Sequence, residues 1–408
     1  MERRLVVDFD IPGVPVQHYR AERCAAEAFA AEATRQGLAR VTVDDLATDE
    51  MKQLPYQRLS YPAEGTTTLM DSIRAPMRPG MRPMDRMPAI ICTDVGHDPD
   101  DLLALILAAA ALPLRLVVTS DEFGGGQRAR LARFLLNLCG RTGVVVVAGA
   151  EIEGAQARWV CDGLVPAGFP PVSAPVTGSV IDAVRAVLGE TGRAAWIGQG
   201  PMSNLAHLYA DAPGLARRLT IMQMGGGFAH LYRRPDRASH NLRMDPASAR
   251  TVLTAPDLDV ALVTSDVTFT PETAIDADSE VYQLLAAANA PKWAKLVAAG
   301  YDRWFAGERS ASMAADPLTV TAAAGMGFVE FATHHVTVAP DARMYDNPDG
   351  VALSMSVAAD YAAFRAWVTT VVQHALEVGM RYDPALIGHK PGNTRPVATG
   401  HAMPIGTR

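Results

Sequence analysis

Residues Ala89 to Asp101 read AIICTDVGHDPDD, an apolar strand-sized run that ends in Asp94, Asp98, Asp100 and Asp101 and leads at once into the Leu- and Ala-rich stretch LLALILAAAAL. A buried strand followed directly by an apolar helix is the opening of a βαβ unit. Carboxylates clustered at the carboxyl end of such a strand repel one another and raise their own pKa values, and a hard divalent cation such as Ca2+ or Mg2+ is the simplest compensation. Helix capping explains part of the cluster, because Asp98 and Asp100 flank Pro99 where acidic residues and proline are favoured. It explains Asp94, just past the strand, and Asp101, at the helix opening, much less well.

Working outward, the same alternation repeats. Strand-sized apolar runs occur at Leu114 to Thr119, Val144 to Ala148, Ala194 to Gly198, Leu219 to Met224 and Asp259 to Thr264. Segments of helical spacing lie between them, at Leu102 to Ala111, Gln127 to Leu138, Val180 to Leu188, Asn204 to Ala210 and Pro246 to Leu253. This predicts an α/β fold with an open, mainly parallel sheet covered by helices on both faces, and such sheets bind ligands outside the carboxyl ends of their strands. Polar and glycine residues follow each run there: Ser120, Asp121 and Glu122; Gln199, Gly200 and Pro201; Met224 with three glycines; Ser265 and Asp266. The catalytic domain is expected over residues 88–378. Residues 1–87 form an N-terminal extension with one expected helix, Ala21 to Gln36, and a linker of Met, Pro and Arg from Ala75 to Pro88; residues 379–408 read as an irregular tail.

The 408 residues are 49% hydrophobic, enough for a substantial core, and carry a formal charge of -7. Without a long basic run, that balance argues against nucleic-acid polymers or anionic membranes as partners and favours a small-molecule ligand. The start, MERRLVVDFDIPG, meets acidic residues before any long apolar stretch, so a cytoplasmic location is expected; the longest apolar run, Leu102 to Leu112, is too short to span a bilayer. Cys24, Cys92, Cys139 and Cys161 lack metal-site spacing and read as reduced core thiols.

Several motifs in order resemble the nucleoside hydrolase family, calcium-dependent enzymes that cleave the N-glycosidic bond of ribonucleosides. TDVGHDPDDLLALILA resembles the family's aspartate motif with two extra residues; GQGPMSNLAHL, MQMGGGFAH, SHNLRMDPASA and VTSDVTFTPET resemble later blocks, and DGLVP and ADPLTV are weaker echoes. The resemblance implies that Asp94, Asp101, Asp266 and the backbone carbonyl of Gln199 hold Ca2+. It also implies that Asp94 takes a proton from a calcium-bound water attacking the ribose, and that Asp100 and Asn241 hold ribose hydroxyls. Met224 would pack near the sugar, and Asp121 or Glu122 would contact it. A homo-oligomer is expected by the same resemblance.

The chain departs from the family on the substrate side. Ser239 and Tyr232 stand where a glutamate and an asparagine bind the 5′ end of the ribose, and Arg233, Arg234 and Arg237 lie in the intervening loop. These residues accept a phosphate where a carboxylate would repel it, so a nucleoside 5′-phosphate is an alternative substrate; a solvated basic loop is the plain reading. Ser265 and Trp159 replace histidines near the base, which leaves no evident leaving-group acid. His97 is a candidate by proximity, and Trp159, Tyr301 or Trp304 are candidates for stacking on the base, although aromatic residues at such sites more often serve the core. Two rival readings are a non-catalytic nucleoside-binding relative and an aspartyl phosphatase, the latter lacking an acid at Gly96.

Overall fold

The computed structural model describes residues 2–8, 16–23, 26–27, 29–30, 33, 40–48, 51–53, 84, 86–172, 177–228, 230, 232, 234–307 and 309–387. The chain divides into two units, residues 1–75 and 76–408. In the first, strands β1 (Glu2–Asp8), β2 (Gln17–Glu22), β3 (Arg40–Asp44) and β4 (Lys52–Gln53) form a sheet in the order β3-β1-β2-β4. Alternate residues Leu5 and Val7 of the central strand are fully buried and pack with Ala21 and Ala26, while Arg4 pairs with Asp44 across the β1–β3 ladder. The helix expected from Ala21 begins later. Ala21 and Glu22 finish β2, and the described residues between 23 and 33 are helical. Most of the expected linker lies outside the described residues.

In the second unit the strands are β5 (Ala89–Thr93), β6 (Leu114–Thr119), β7 (Val145–Val147), β8 (Ala194–Gly198), β9 (Leu219–Met224), β10 (Asp259–Val263), β11 (Ala274–Ile275), β12 (Ser312–Met313), β13 (Val329–Val338), β14 (Met344–Asp346) and β15 (Val351–Ala359). The helices are α1 (Asp100–Ala111), α2 (Gln127–Leu138), α3 (Thr177–Thr191), α4 (Ser203–Asp211), α5 (Pro213–Ala216), α6 (His240–Met244), α7 (Pro246–Leu253), α8 (Ser265–Thr268), α9 (Glu280–Ala286), α10 (Lys292–Ala306), α11 (Ala315–Ala323) and α12 (Tyr361–Val378). Nine strands form one sheet in the order β14-β13-β15-β10-β9-β8-β5-β6-β7. Pairing is parallel from β7 to β15, and β13 and β14 add an antiparallel edge.

From β5 the chain moves outward through β6 and β7, then returns to build β8, β9 and β10 on the other side, so β5 sits where the strand order reverses. A crevice opens at such a point because connections leave it in opposite directions, and Asp94 follows β5 immediately. All five β5 residues are buried. Ile91 joins the core that contains α1 and Tyr301, whereas Ile90 joins the core with Trp196 and Ile221, as expected where alternate side chains face opposite helical layers.

The predicted parallel strands match within one or two residues, but β13, β14 and β15 extend the sheet beyond the expected six. The start of the expected irregular tail is ordered against the core: Asp383 N–H donates to the Ala110 carbonyl at 2.8 Å, and Trp367 Nε1 donates to the Leu386 carbonyl at 2.9 Å. Residues 388–408 lie outside the described residues. Cys92, Cys139 and Cys161 are buried free thiols, each pushed up to about 12 by burial, and Cys24 lies outside the described residues.

Candidate active site

The carboxyl ends of the parallel strands bring the aspartates to one rim. Asp94, Asp100, Asp101 and Asp316 are 4%, 4%, 3% and 4% exposed, so their charges are almost wholly removed from water. One carboxylate oxygen from each of Asp100, Asp101 and Asp316 lies within 4.8 Å of the others. Burial first, and then repulsion from neighbouring carboxylates, Asp94 and Asp98 among them, pushes all three well above the usual carboxylate range. The hydroxyl of Thr93 donates to Asp101, and the backbone N–H of Asp316 donates to Asp100 Oδ2 at 3.0 Å. Three neighbouring hard oxygen donors, with no thiol or imidazole among them, fit Ca2+ or Mg2+ better than a softer metal.

Asp94 is held differently. Burial pushes its carboxyl up, but His240, Arg128 and His97 together outweigh it and keep the group below its ordinary value. Arg128 is fully buried, and its Nη1 donates to the Asp94 carbonyl at 2.5 Å and the Val95 carbonyl at 3.1 Å. Its Nη2 lies 2.9 Å from Asp121 Oδ2. The loop after Asp94 turns at Gly96, whose φ of +106° is costly for any residue with a Cβ; a Cβ there would also sit 2.3 Å from Trp159 Cζ3. Trp159 thus forms a wall of the aspartate loop, edge-on to Phe123.

The remaining predicted residues have distinct surroundings. The Gln199 carbonyl accepts a 2.9 Å hydrogen bond from Asn241 Nδ2, which also donates to the Met224 carbonyl at 3.2 Å and lies 3.4 Å from the Met224 sulfur. Asn241 therefore ties together the ends of β8 and β9. Ser239 Oγ accepts from Gly226 N–H at 2.7 Å, fixing the glycine loop after β9. Gly227, with φ +130°, lies against Asp266: a Cβ on it would approach Asp266 Oδ1 to 3.0 Å. Asp266 Oδ2 accepts from Phe228 N–H at 3.3 Å, Oδ1 is buried without a hydrogen-bond partner, and burial raises the carboxyl to about 6. Asp266 lies outside the Asp100, Asp101 and Asp316 cluster.

Other predicted contacts change. Asp121, at φ 52°, gives both oxygens to arginines, Arg128 and Arg158, so its carboxylate anchors the loop and is not turned to a sugar. Glu122 is likewise committed, accepting from Thr119 Oγ1 and from the backbone N–H groups of Arg128 and Ala129 at the start of α2. Tyr301 is wholly buried beside Tyr282 and Phe305 and is a core residue, which removes it as a stacking platform. Trp304 touches His97 edge-on, with Arg309 3.8 Å above its ring. Arg234 is exposed and pairs with Asp236; Arg233 lies outside the described residues. Asp98 accepts from Ser312 Oγ and, at 3.5 Å, from Asp100 N–H, and burial raises it to about 6.

Two side chains gain importance that spacing alone did not give them. Asp316 belongs to an Asp-Pro pair that reads locally as a helix start, and Arg128 is one of several arginines on an amphipathic helix. Both meet the aspartate motif only through folding.

An α/β sheet with a switch-point crevice and a buried carboxylate cluster defines a class of ligand-binding, metal-competent α/β proteins, and comparison with known proteins narrows it. The family model described as inosine-uridine preferring nucleoside hydrolase matches residues 89–380. A pyrimidine-specific ribonucleoside hydrolase from Enterobacter sp. (strain 638) is 28% identical over 193 residues, 45% of this chain and 61% of that protein. The chain thus aligns with somewhat under two thirds of the length of that relative. Solved structures of a plant nucleoside hydrolase and of an inosine-uridine preferring nucleoside hydrolase from Bacillus anthracis share the fold. Each has a TM-score of 0.57, at 20% and 17% identity, covering 71% of this chain in both cases and 98% and 100% of the respective relatives. The chain belongs to the inosine-uridine preferring nucleoside hydrolase family.

Proposed function

We propose that this chain hydrolyses the N-glycosidic bond of a ribonucleoside or closely related compound, releasing free base and the sugar, with Ca2+ held at the carboxylate cluster. The carrying observation is the set of four aspartates, each less than 5% exposed, at the switch point of the sheet. So many buried negative charges are compatible with neutral pH when a cation compensates them, and the donors are the hard oxygens that Ca2+ takes. Asp94, Asp101, Asp266 and the Gln199 carbonyl are the proposed ligands, with Asp316 as a further carboxylate beside Asp100 and Asp101. The bound cation would orient water and ribose hydroxyls and increase the acidity of that water.

The chain's own residues divide the remaining work. Asp94, kept ionised by its basic neighbours, accepts a proton from the attacking water. Asp100 and Asn241 hold the ribose hydroxyls, and the surrounding carboxylates stabilise positive charge developing on the sugar. Met224 packs on the sugar, and Trp159 borders the base side. His97, lowered to about 4 first by burial and then by His240, stands beside His240 and edge-on to Trp304 and is the candidate neighbour of the leaving base. Asp121 and Ser239 hold loops in place.

The test is release of free base from a panel of ribonucleosides and their 5′-phosphates, before and after thorough chelation. Activity that disappears on chelation and returns with Ca2+ supports this reading; activity indifferent to complete metal removal contradicts it. None of the described helices is long and apolar enough to cross a membrane.

A further inference from the structure

Basic side chains gather on the α6 side of Asp94. His240 and Arg243 are one turn apart on that helix, with Arg243 Nη2 3.2 Å from His240 Nδ1, while His240 Nε2 lies 3.6 Å from Asp94 Oδ2. Arg158 approaches from the loop after β7. Its Nε donates to Asp121 Oδ2 at 2.7 Å, and the same carboxylate also binds Arg128, so one negative charge is shared by two guanidinium groups.

Arg237 completes the group. Asp236, which lies within the electrostatic reach of Arg237, already forms a two-pronged contact with Arg234. Nε of Arg237 and Nε of Arg243 are both buried without a hydrogen-bond acceptor. Burial and the proximity of Arg237 and Arg158 lower the Arg243 pKa, as repulsion among like charges requires. Buried guanidinium donors with unused hydrogen-bonding capacity are costly in isolation and are satisfied by an oxyanion.

We infer that Arg158, Arg237 and Arg243 form a phosphate subsite beside Asp94, and that the substrates are ribonucleoside 5′-monophosphates. This rests on the hydrolytic reading above and adds the 5′ substituent to it. A ribose 5-phosphate unit matches the polarity of the site: its hydroxyls face the aspartates through Asn241 of α6, and its dianionic end faces the arginine of the same helix. Phosphate supplies three acceptor oxygens and up to two negative charges, which planar guanidinium groups bind in paired hydrogen bonds. Arg234, spent on Asp236, takes no part.

The reaction leaves the phosphate ester intact. Water adds through oxygen to C1′, the C1′–N bond breaks with its electron pair passing to the base nitrogen, Asp94 receives the proton of the water, and the base takes a proton from solvent. The products are free base and ribose 5-phosphate.

Calorimetric titration of the full chain in Ca2+ with ribose 5-phosphate and with ribose tests the subsite without requiring turnover. Ribose 5-phosphate is expected to bind at least tenfold tighter, with Arg243→Ala abolishing that preference and Arg243→Lys retaining part of it. Equal affinities in the wild type, or a preference untouched by alanine at each of the three arginines, would overturn the inference. In parallel, kcat/KM is compared for uridine 5′-monophosphate against uridine and for inosine 5′-monophosphate against inosine. A higher value for the nucleotides supports the inference, and release of base from nucleosides alone overturns it while leaving the hydrolytic reading intact. Selective ribose 5-phosphate binding with no base released from any substrate supports the anion subsite and overturns the hydrolytic reading instead.

Discussion

Nε2 of His240 lies 3.6 Å from Oδ2 of Asp94, an ion-pair distance too long for a hydrogen bond. His240 comes from the helix after β9 and Asp94 from the loop after β5, so the contact joins two strand ends across the crevice. It places an imidazole ring against the proposed base, in contrast to Asp100, Asp101 and Asp316, whose charged neighbours are mainly other carboxylates. His240→Phe is expected to lower kcat for base release by roughly 100-fold, at the lower end of general-base effects. Because the ring is partly exposed, the thermal midpoint should move little. Steady-state kinetics and a melting curve on the same preparation check both.

Metal removal should make stability depend on pH in a definite direction. The folded-state pKa values of Asp100, Asp101 and Asp316 are raised above their ordinary values by burial and repulsion. Their contribution is therefore fully present below the unfolded carboxylate pKa and is lost as pH rises through the raised folded values. Chelated protein should melt at a lower temperature at pH 8 than at pH 5. Ca2+ at one fixed concentration, about 100 times its Kd at pH 8, should restore about 2.7 kcal/mol at pH 8 and less at pH 5, where protonation of the cluster weakens binding. An equal shift at both pH values would contradict this.

Asp316 provides a separate test of how the cation is held. Asp316→Asn keeps the backbone N–H that binds Asp100 but removes one charge from the cluster. Ca2+ affinity measured by titration calorimetry should fall about 10- to 100-fold, the range for groups that support a metal site. An unchanged affinity would leave Asp316 with a structural role alone.

Away from the crevice, Asp245 caps α7 and joins it to α4. Its carboxylate accepts from Ser248 N–H at 3.1 Å and from Ser203 Oγ at 2.6 Å. Burial pushes the group up, but these hydrogen bonds together hold it below its ordinary value. The sign is opposite to that of the cluster: the stabilisation is present above the unfolded pKa and is lost as pH falls through the depressed folded value. Asp245→Ala should cost about 1–2 kcal/mol by denaturant unfolding at neutral pH, with a smaller difference from wild type in strong acid.

Gly96→Ala probes the aspartate loop itself. The residue needs both its positive φ and the space taken by Trp159. Strain of about 1–2 kcal/mol from the backbone adds to about 1–3 kcal/mol from overpacking. Loss of stability with altered tryptophan fluorescence is expected, and Trp159→Ala should relieve the clash but not the backbone strain.

How much of this was legible in the sequence depended on the range of the interaction. Apolar runs such as Ala194 to Gly198 and Leu219 to Met224 mark strands buried on both faces, and their exact match to β8 and β9 reflects that local signal. The strand Val329–Val338, with two histidines, two threonines and a mixed burial pattern, carries no such signal and is defined by pairing with β15. The site divides in the same way. The aspartates near Asp94 declare themselves by density, whereas Asp316 reaches Asp100 across 216 positions of chain. Asp121 shows the converse, since its place after β6 was visible but the two arginines that occupy its carboxylate were not.

The most direct measurement is single-turnover hydrolysis in 18O-labelled water, with the wild type and Asp94→Asn compared in Ca2+ and the products separated by mass spectrometry. Water attack at C1′ predicts one 18O at C1′ of the released sugar, unlabelled free base, and a rate about 10²- to 10⁴-fold lower in the variant. The sugar must be analysed before its anomeric oxygen exchanges with solvent. Absence of base release from every ribonucleoside and ribonucleotide tested, or an Asp94→Asn rate equal to wild type, would contradict catalysis at this aspartate site.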